Sequence, residues 1–341
     1  MARPKDKEEF RKEIAENFAN ILEEKGLEWK KEWHGRGAGM PQNGVTKSSY
    51  RGCNAFWLSL VSMIKGYNDP RWVTIHQIQD FKKTYHPDQK WHLKKGSKAT
   101  WVEYWYPYDT KEKKALKWDV YKQLLKDGRK PDEFRFSARY TAVFNASEVE
   151  GMPALETAPA FSNPEVSEDE LIRLLSEGMG VEIINDGGDK AYYSPVQDKI
   201  HLPLAESFTS EYAYNATTLH ELGHATGHPT RLNRPQNAFF GTGQYAYEEL
   251  VAEMCSCFMG YGLDVDASSE HLENHKAYVQ SWIQAIREKP ETLIKAIRDA
   301  QGAASFMDWK AGLISEKEYE AEKVKTFEVK IRDARDRDDA R

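Results

Sequence analysis

Two hydrophobic periods run along this chain. Over residues 5–25, Phe10, Ile14, Phe18, Ile21 and Leu22 recur at helical spacing between charged positions, and Gly26 ends the pattern. Residues 27–52 (LEWKKEWHGRGAGMPQNGVTKSSYRG) show no period and read as loop. CNAFWLSLVSMIK, about 53–65, predicts a second helix, and Thr74 is placed to cap a third that carries IHQIQDFKK. The period then shortens to two. Residues 97–108 (SKATWVEYWYPY) predict a strand and 135–146 (RFSARYTAVFNA) its partner, with a basic loop or short helix at 111–130 between them. The first half is therefore α+β.

Residues 151–167 hold three prolines and little periodicity, which suits an interdomain linker. Ser167 followed by Glu170 is a capping-box signature for the helix EDELIRLLSEGMG. Short strands are predicted at 181–184, 191–193 and 199–203, then helices at 211–227, 245–262, 269–288 and 290–309. The division expected is 1–150, a linker at 151–167, a second domain at 168–310 and a charged tail at 311–341. The fold class expected is α+β in two domains, the second a short sheet with several helices.

Charge sharpens that division. Residues 1–150 hold 29 Lys and Arg against 21 Asp and Glu, while 151–341 hold 19 against 33. Eight of the ten tryptophans also fall in the first half. A basic, aromatic-rich half suits a single-stranded nucleic-acid binder, and equally a soluble domain with a Trp-rich core. No apolar run reaches membrane-spanning length, and the first residues have no apolar signal core, so no membrane partner is expected. The cysteines Cys53, Cys255 and Cys257 form no disulfide framework. They place the chain in the cytoplasm, with the latter two as buried helix thiols.

The stretch 215–231 (NATTLHELGHATGHPTR) carries the chemistry. On a helix, His220 and His224 differ by about 40° in azimuth and roughly 6 Å along the axis, so both point from one face toward one metal ion. Glu221 is turned by about 100° from His220, which suits a general base rather than a ligand. The match to H-E-x-x-H is complete. Gly227 and Pro229 end the helix, which leaves His228 about 12 Å along the axis from His220 and outside the ligand set. The longer pattern HExxHxxGxxH fails because position 230 is Thr230. Downstream, Glu249-Leu-Val-Ala-Glu253 resembles the second site helix of gluzincin peptidases. That resemblance implies Glu249 as third ligand and Glu253 as acceptor from a ligand imidazole, with Glu248 the competitor for the ligand role. A zinc-dependent peptidase is implied, with Zn²⁺ or another divalent metal such as Mn²⁺ as cofactor and an unidentified protein as substrate. Tyr245, His228 and His201 are alternatives for stabilising the oxyanion, and His201 either lines the cleft or packs.

Several ordered motifs resemble ArdC-type antirestriction proteins of conjugative plasmids. In the second half they are AYYSPVQDKIHLP at 191–203, LHELGHATGHPTRL, YEELVAEM and ENHKAYVQSWI at 273–283. In the first half they are YRGCNAFWL at 50–58, KKGSKATWVEYW at 94–105 and RYTAVFNASEVEGMP at 139–153, a part also similar to plasmid TraC-type primases. The family often has an aromatic residue after the second histidine, where this chain has Ala225. The resemblance implies an N-terminal single-stranded-DNA-binding domain, a zincin-like (gluzincin) metallopeptidase domain and protection of incoming DNA from restriction. Trp29, Trp33 and Tyr50, in polar surroundings, are the candidates for exposed base stacking, with Arg51 and Asn54 beside them. Trp57 reads as core. Lys94, Lys95 and Lys98 around Gly96 are the candidate phosphate contacts. Two other readings remain: a DNA-binding protein with a purely structural metal domain, and a peptidase whose first domain docks protein.

Overall fold

The apolar positions of the first 25 residues do form one buried face. Helix α1 (Lys7–Lys25) buries Phe10, Ile14, Phe18, Ile21 and Leu22, each at most 6% exposed. The structure, a computed structural model, describes residues 4, 6–26, 29, 39–84, 91–155, 168–235, 243–259 and 272–320. These divide into two compact units. One comprises Met1–Phe10 and Trp72–Met152, the other Arg11–Arg71 and Pro153–Glu322. One seam coincides with the start of the expected linker, while residues 11–71 group with the second half.

The first unit is built on a long hairpin. Strands β1 (Gln42–Asn43) and β2 (Arg71–Val73) precede it, and helix α2 (Gly52–Lys65) lies between those two in sequence. Thr74 and Gln77 cap helix α3 (Ile75–Thr84) reciprocally: the Thr74 hydroxyl accepts from the Gln77 N–H at 3.1 Å, and the Gln77 side chain accepts from the Thr74 N–H at 2.9 Å. Strand β3 (His92–Leu93) leads to β4 (Thr100–Asp109), β5 (Lys114–Ala115), helix α4 (Trp118–Lys126), β6 (Phe134–Asn145) and β7 (Val149–Glu150), which pairs with β3. β4 and β6 pair antiparallel from Thr100 opposite Val143 to Asp109 opposite Phe134, the partnership read from the sequence. β2, β6, β4 and β5 lie side by side in that order. Leu116, Tyr121 and Phe134 form a core on one face of the hairpin, with Trp118 stacked on Phe136 at 5.6 Å.

In the second unit α2 buries Phe56, Trp57, Leu58 and Leu60 and stops at Gly66 (φ 71°), a left-handed position that favours glycine. Trp57 is core, as expected. Helix α5 (Glu168–Met179) precedes a three-stranded sheet of β8 (Glu182–Asn185), β9 (Tyr192–Ser194) and β10 (Lys199–Leu202). β10 is central, parallel to β8 and antiparallel to β9. Helices α6 (Glu211–Ala225), α7 (Gly243–Met259), α8 (Leu272–Glu288) and α9 (Glu291–Lys310) follow. α7 is the most deeply buried, and α6 and α9 both pack on it. The α5 backbone passes so near the end of α9 that a Cβ on Gly178 would fall 2.0 Å from the Lys310 carbonyl oxygen.

Both mixed units agree with the α+β expectation. Of the linker, residues 156–167, Ser167 included, lie outside the described residues, as does the tail from 321. Among the described residues no helix is long and apolar enough to cross a membrane.

Candidate metal centre

Helix α6 starts where Ser210 caps it, its hydroxyl accepting from the Ala213 N–H at 3.1 Å. About three and four turns later it carries His220 and His224 on one face, as their spacing requires. Their Nε2 atoms are 3.1 Å apart and the rings are nearly perpendicular. Gly223, between them, is where α6 meets α7: a Cβ there would touch Ala252 and Cys255 at 3.4–3.5 Å. That close approach presents Glu249 of α7 to both histidines. Its carboxylate oxygens lie 3.5 Å from His220 Nε2 and 3.6 Å from His224 Nε2.

Ligand atoms of His220, His224 and Glu249 all fall within 4.8 Å of one another, the one such group among the described residues. Two imidazole nitrogens and one carboxylate form a donor set suited to Zn²⁺ and to Mn²⁺. The far side of each imidazole meets a further carboxylate, Glu253 at 3.7 Å from His220 Nδ1 and Glu248 at 3.7 Å from His224 Nδ1. Such partners favour an Nδ1–H tautomer that turns the Nε2 lone pair inward. Glu221 lies beside His220 on the same helix and is 6% exposed.

Glu248, the competing ligand in the sequence, occupies a different place. Arg234 donates to it at 2.6 and 3.1 Å and also to the Gly223 carbonyl and the Thr226 hydroxyl. Arg234 thus ties the end of α6 to α7, and spacing gave no sign of it, because it sits in the loop ten residues beyond His224. A second loop arginine, Arg231, donates to the Ala225 carbonyl at 2.6 Å, to Asp198 and to the Tyr193 hydroxyl.

Buried opposite charges set the electrostatics. Burial by itself depresses the His224 imidazole, but Glu248 and Glu249 overcome it and push it up to about 9. His220 is raised well above the ordinary range by the same competition, with Glu253 and Glu249 as its partners. Burial raises Glu249, and its two histidines more than reverse that, so its carboxyl lies well below the usual range. The cluster attracts positive charge, as a cation site must.

The oxyanion candidates sit in different surroundings. His201 has Asp186 on Nδ1 and Gln197 on Nε2, each at 2.7 Å, and stacks on Tyr192. His228 Nδ1 meets the Thr230 hydroxyl at 2.7 Å, and Tyr245 is half-buried in the first turn of α7. Cys255 and Cys257 are buried, the Cys255 thiol pushed up to about 12 by burial.

The expected DNA-contacting residues fall in both units. Lys94, Lys95 and Lys98 are exposed around the Gly96 turn, and Lys94 Nζ donates to the Ser147 carbonyl at 2.8 Å. Tyr50 and Asn54 are half-buried at the start of α2, and Arg51 is exposed, its charge drawn to Asp308 and Glu318. Trp29, expected to be exposed, is 1% exposed and packs edge-on against Phe18, which does the same to Phe56. It corrects the sequence reading: polar neighbours in the chain did not mean polar surroundings in space. Trp33 lies outside the described residues.

Comparison with known proteins follows the same division. A family model described as the N-terminal domain of anti-restriction factor ArdC matches residues 8–144, and one described as a zincin-like metallopeptidase matches 170–299. Two DNA primases TraC of Escherichia coli are each 33% identical, over 88% and 86% of this chain, which spans only 27% and 19% of their length. Protein y4eC of Sinorhizobium fredii is 29% identical over 86% of this chain and 90% of its own. The crystal structures of antirestriction protein ArdC from plasmid R388, metal-free and Mn(II)-bound, superpose with TM-scores of 0.66 and 0.65 at 26% identity. They cover 90% and 89% of this chain and 99% of theirs. The chain thus joins a segment matching the ArdC N-terminal domain to one matching a zincin-like metallopeptidase domain, and it is similar over nearly its whole length to antirestriction protein ArdC.

Proposed function

We propose that the protein is a cytoplasmic, single-stranded-DNA-binding antirestriction protein of a conjugative plasmid or other mobile element, with an active metal-dependent peptidase in its second half. The observation that carries the enzymatic part is the convergence of His220, His224 and Glu249 within 4.8 Å beside a buried Glu221. These three residues would hold Zn²⁺, or Mn²⁺ as in the R388 neighbour. When bound, the metal supplies Lewis-acid polarisation of the scissile carbonyl and lowers the pKa of a water toward about 7.

Glu221 takes a proton from the attacking water and delivers it to the leaving amine nitrogen. Glu253 and Glu248 keep the imidazoles oriented, and Arg234 holds Glu248. His201 is the weakest of the three candidates for meeting a developing oxyanion, because both its nitrogens are already engaged. A catalytic rather than structural metal is supported by the neighbour, whose metal-free and Mn(II)-bound forms match this chain equally well. DNA binding rests on the ArdC-type first domain and on the excess of Lys and Arg over residues 1–150.

Metal content and peptide hydrolysis of four purified forms test this reading. Wild type and Glu221→Gln should each retain one metal ion per chain, His220→Ala and Glu249→Ala should lose it, and only wild type should cleave unfolded protein. Cleavage by Glu221→Gln at the wild-type rate would refute the assignment.

A further inference from the structure

The hairpin of β4 and β6 sorts its side chains by strand alternation. Tyr104, Tyr106 and Tyr108 share one face, and the register places Arg139, Ser137 and Arg135 directly opposite them. Trp101, Glu103, Trp105 and Asp109 point to the other face. There Trp118 of α4 donates its indole N–H to the Trp105 carbonyl at 3.1 Å, and Arg129 holds Asp109. On the tyrosine face Tyr104 is 45% exposed, Arg135 and Arg139 are exposed, and Tyr106 and Tyr108 are half-buried. The guanidinium carbons of Arg139 and Arg135 lie 4.5 and 4.4 Å from the ring centroids of Tyr104 and Tyr108.

We propose that this tyrosine–arginine ladder is a binding face for single-stranded nucleic acid, with the tyrosine rings as base platforms and the two guanidinium groups as phosphate contacts. The proposal rests on the DNA-binding reading above and gives it a location that motif reading did not.

Charge selects the occupant. All six cross-strand positions from 104 to 108 and 135 to 139 on this face carry Tyr, Ser or Arg, and none carries an acid. Residues 72–152 together hold 16 Lys and Arg against 11 Asp and Glu, so the surroundings favour a polyanion. Ring chemistry narrows the choice, because aromatic faces bind bases of any sequence, and arginine held over a ring keeps its N–H fork free for phosphate. Ring stacking favours a single strand over a duplex, whose bases are already paired and stacked on one another. Same-face residues repeat at roughly 6.7 Å along a strand, about twice the ~3.4 Å rise of stacked nucleotides, so the ladder fits an extended, unstacked strand.

The test uses the full chain and a fluorescently labelled oligo-dT, read by anisotropy across a salt series. Tyr104→Ala with Tyr106→Ala should weaken binding about a hundredfold, and both tyrosines changed to Phe should leave it within about threefold of wild type. Arg135→Ala with Arg139→Ala should weaken it and flatten its salt dependence, while a labelled duplex binds wild type far more weakly. Photo-crosslinking of a bromodeoxyuridine oligonucleotide to wild type, mapped by mass spectrometry, avoids any folding defect of the variants and should mark 104–108 or 135–139. Wild-type binding unchanged by the alanine variants, with crosslinks elsewhere, overturns the ladder and leaves the DNA-binding reading intact. Failure of wild type to bind oligo-dT overturns both. Capture of an acidic protein in place of the oligonucleotide also refutes the ladder's role.

Discussion

At the metal centre, two helices bring three donor atoms within 4.8 Å of one another, and carboxylates back both histidines. On the β4–β6 face, five side chains are spread over roughly 13 Å of strand, and Tyr104 and both arginines are exposed. The first arrangement is contracted and pre-oriented, as chemistry at one bond requires. The second is extended and made of similar units, as binding without sequence preference requires. A contracted site fails at one substitution, whereas an extended one weakens by steps.

The largest expected effect follows at the contracted end. Glu221→Gln keeps the shape of the side chain and removes the base, so peptide hydrolysis should fall by about 10²–10⁴-fold with metal content unchanged, checked by kcat and elemental analysis. Glu253→Gln should come next. It removes the carboxylate charge behind His220 Nδ1, and metal affinity measured by competition with a chelator should fall about 10–100-fold. A smaller effect would mean that the histidines are held by packing alone.

The two regions were also unequally legible from sequence. HELGH announces itself because its four-residue spacing is both a helical turn and a ligand spacing. Glu249 was separable from Glu248 only through the resemblance of its helix to known ones, since both are acidic and adjacent. The structure separates them by what each faces, the two Nε2 atoms for Glu249 and Arg234 for Glu248. For Arg234 itself no pattern exists, because loop residues are positioned by tertiary contacts that spacing does not encode. Strands 97–108 and 135–146 were readable from their alternation, but not their register, and register alone makes Tyr104 face Arg139. Trp29 was misplaced for a related reason: Phe18 and Phe56, distant in sequence, bury it.

A change outside both regions serves as a control. Burial raises the Asp308 carboxyl to about 6, with Arg51 pulling the other way. The stability linked to that raised value is complete below the unfolded value near 3.8 and is lost as pH rises through about 6. Asp308→Asn should therefore be more stable than wild type by about 2 kcal/mol at pH 7, with the gain gone below about pH 4, as measured by denaturant unfolding. The smallest effect belongs to the extended region. Arg139→Ala should weaken oligo-dT binding a few-fold and reduce the salt slope by about one. A collapse of binding from that single change would break the contrast between a stepwise and an all-or-none site.

The central proposal, an antirestriction protein whose second half is a working peptidase, is tested most directly in a restricting host that receives unmodified plasmid DNA by conjugation. Entry is counted with wild type, with Glu221→Gln and with no protein, after purified Glu221→Gln has been shown to retain its metal and to bind oligo-dT. The account predicts that Glu221→Gln protects no better than no protein. Protection equal to wild type would contradict it and leave coating of the entering strand as the whole of the function.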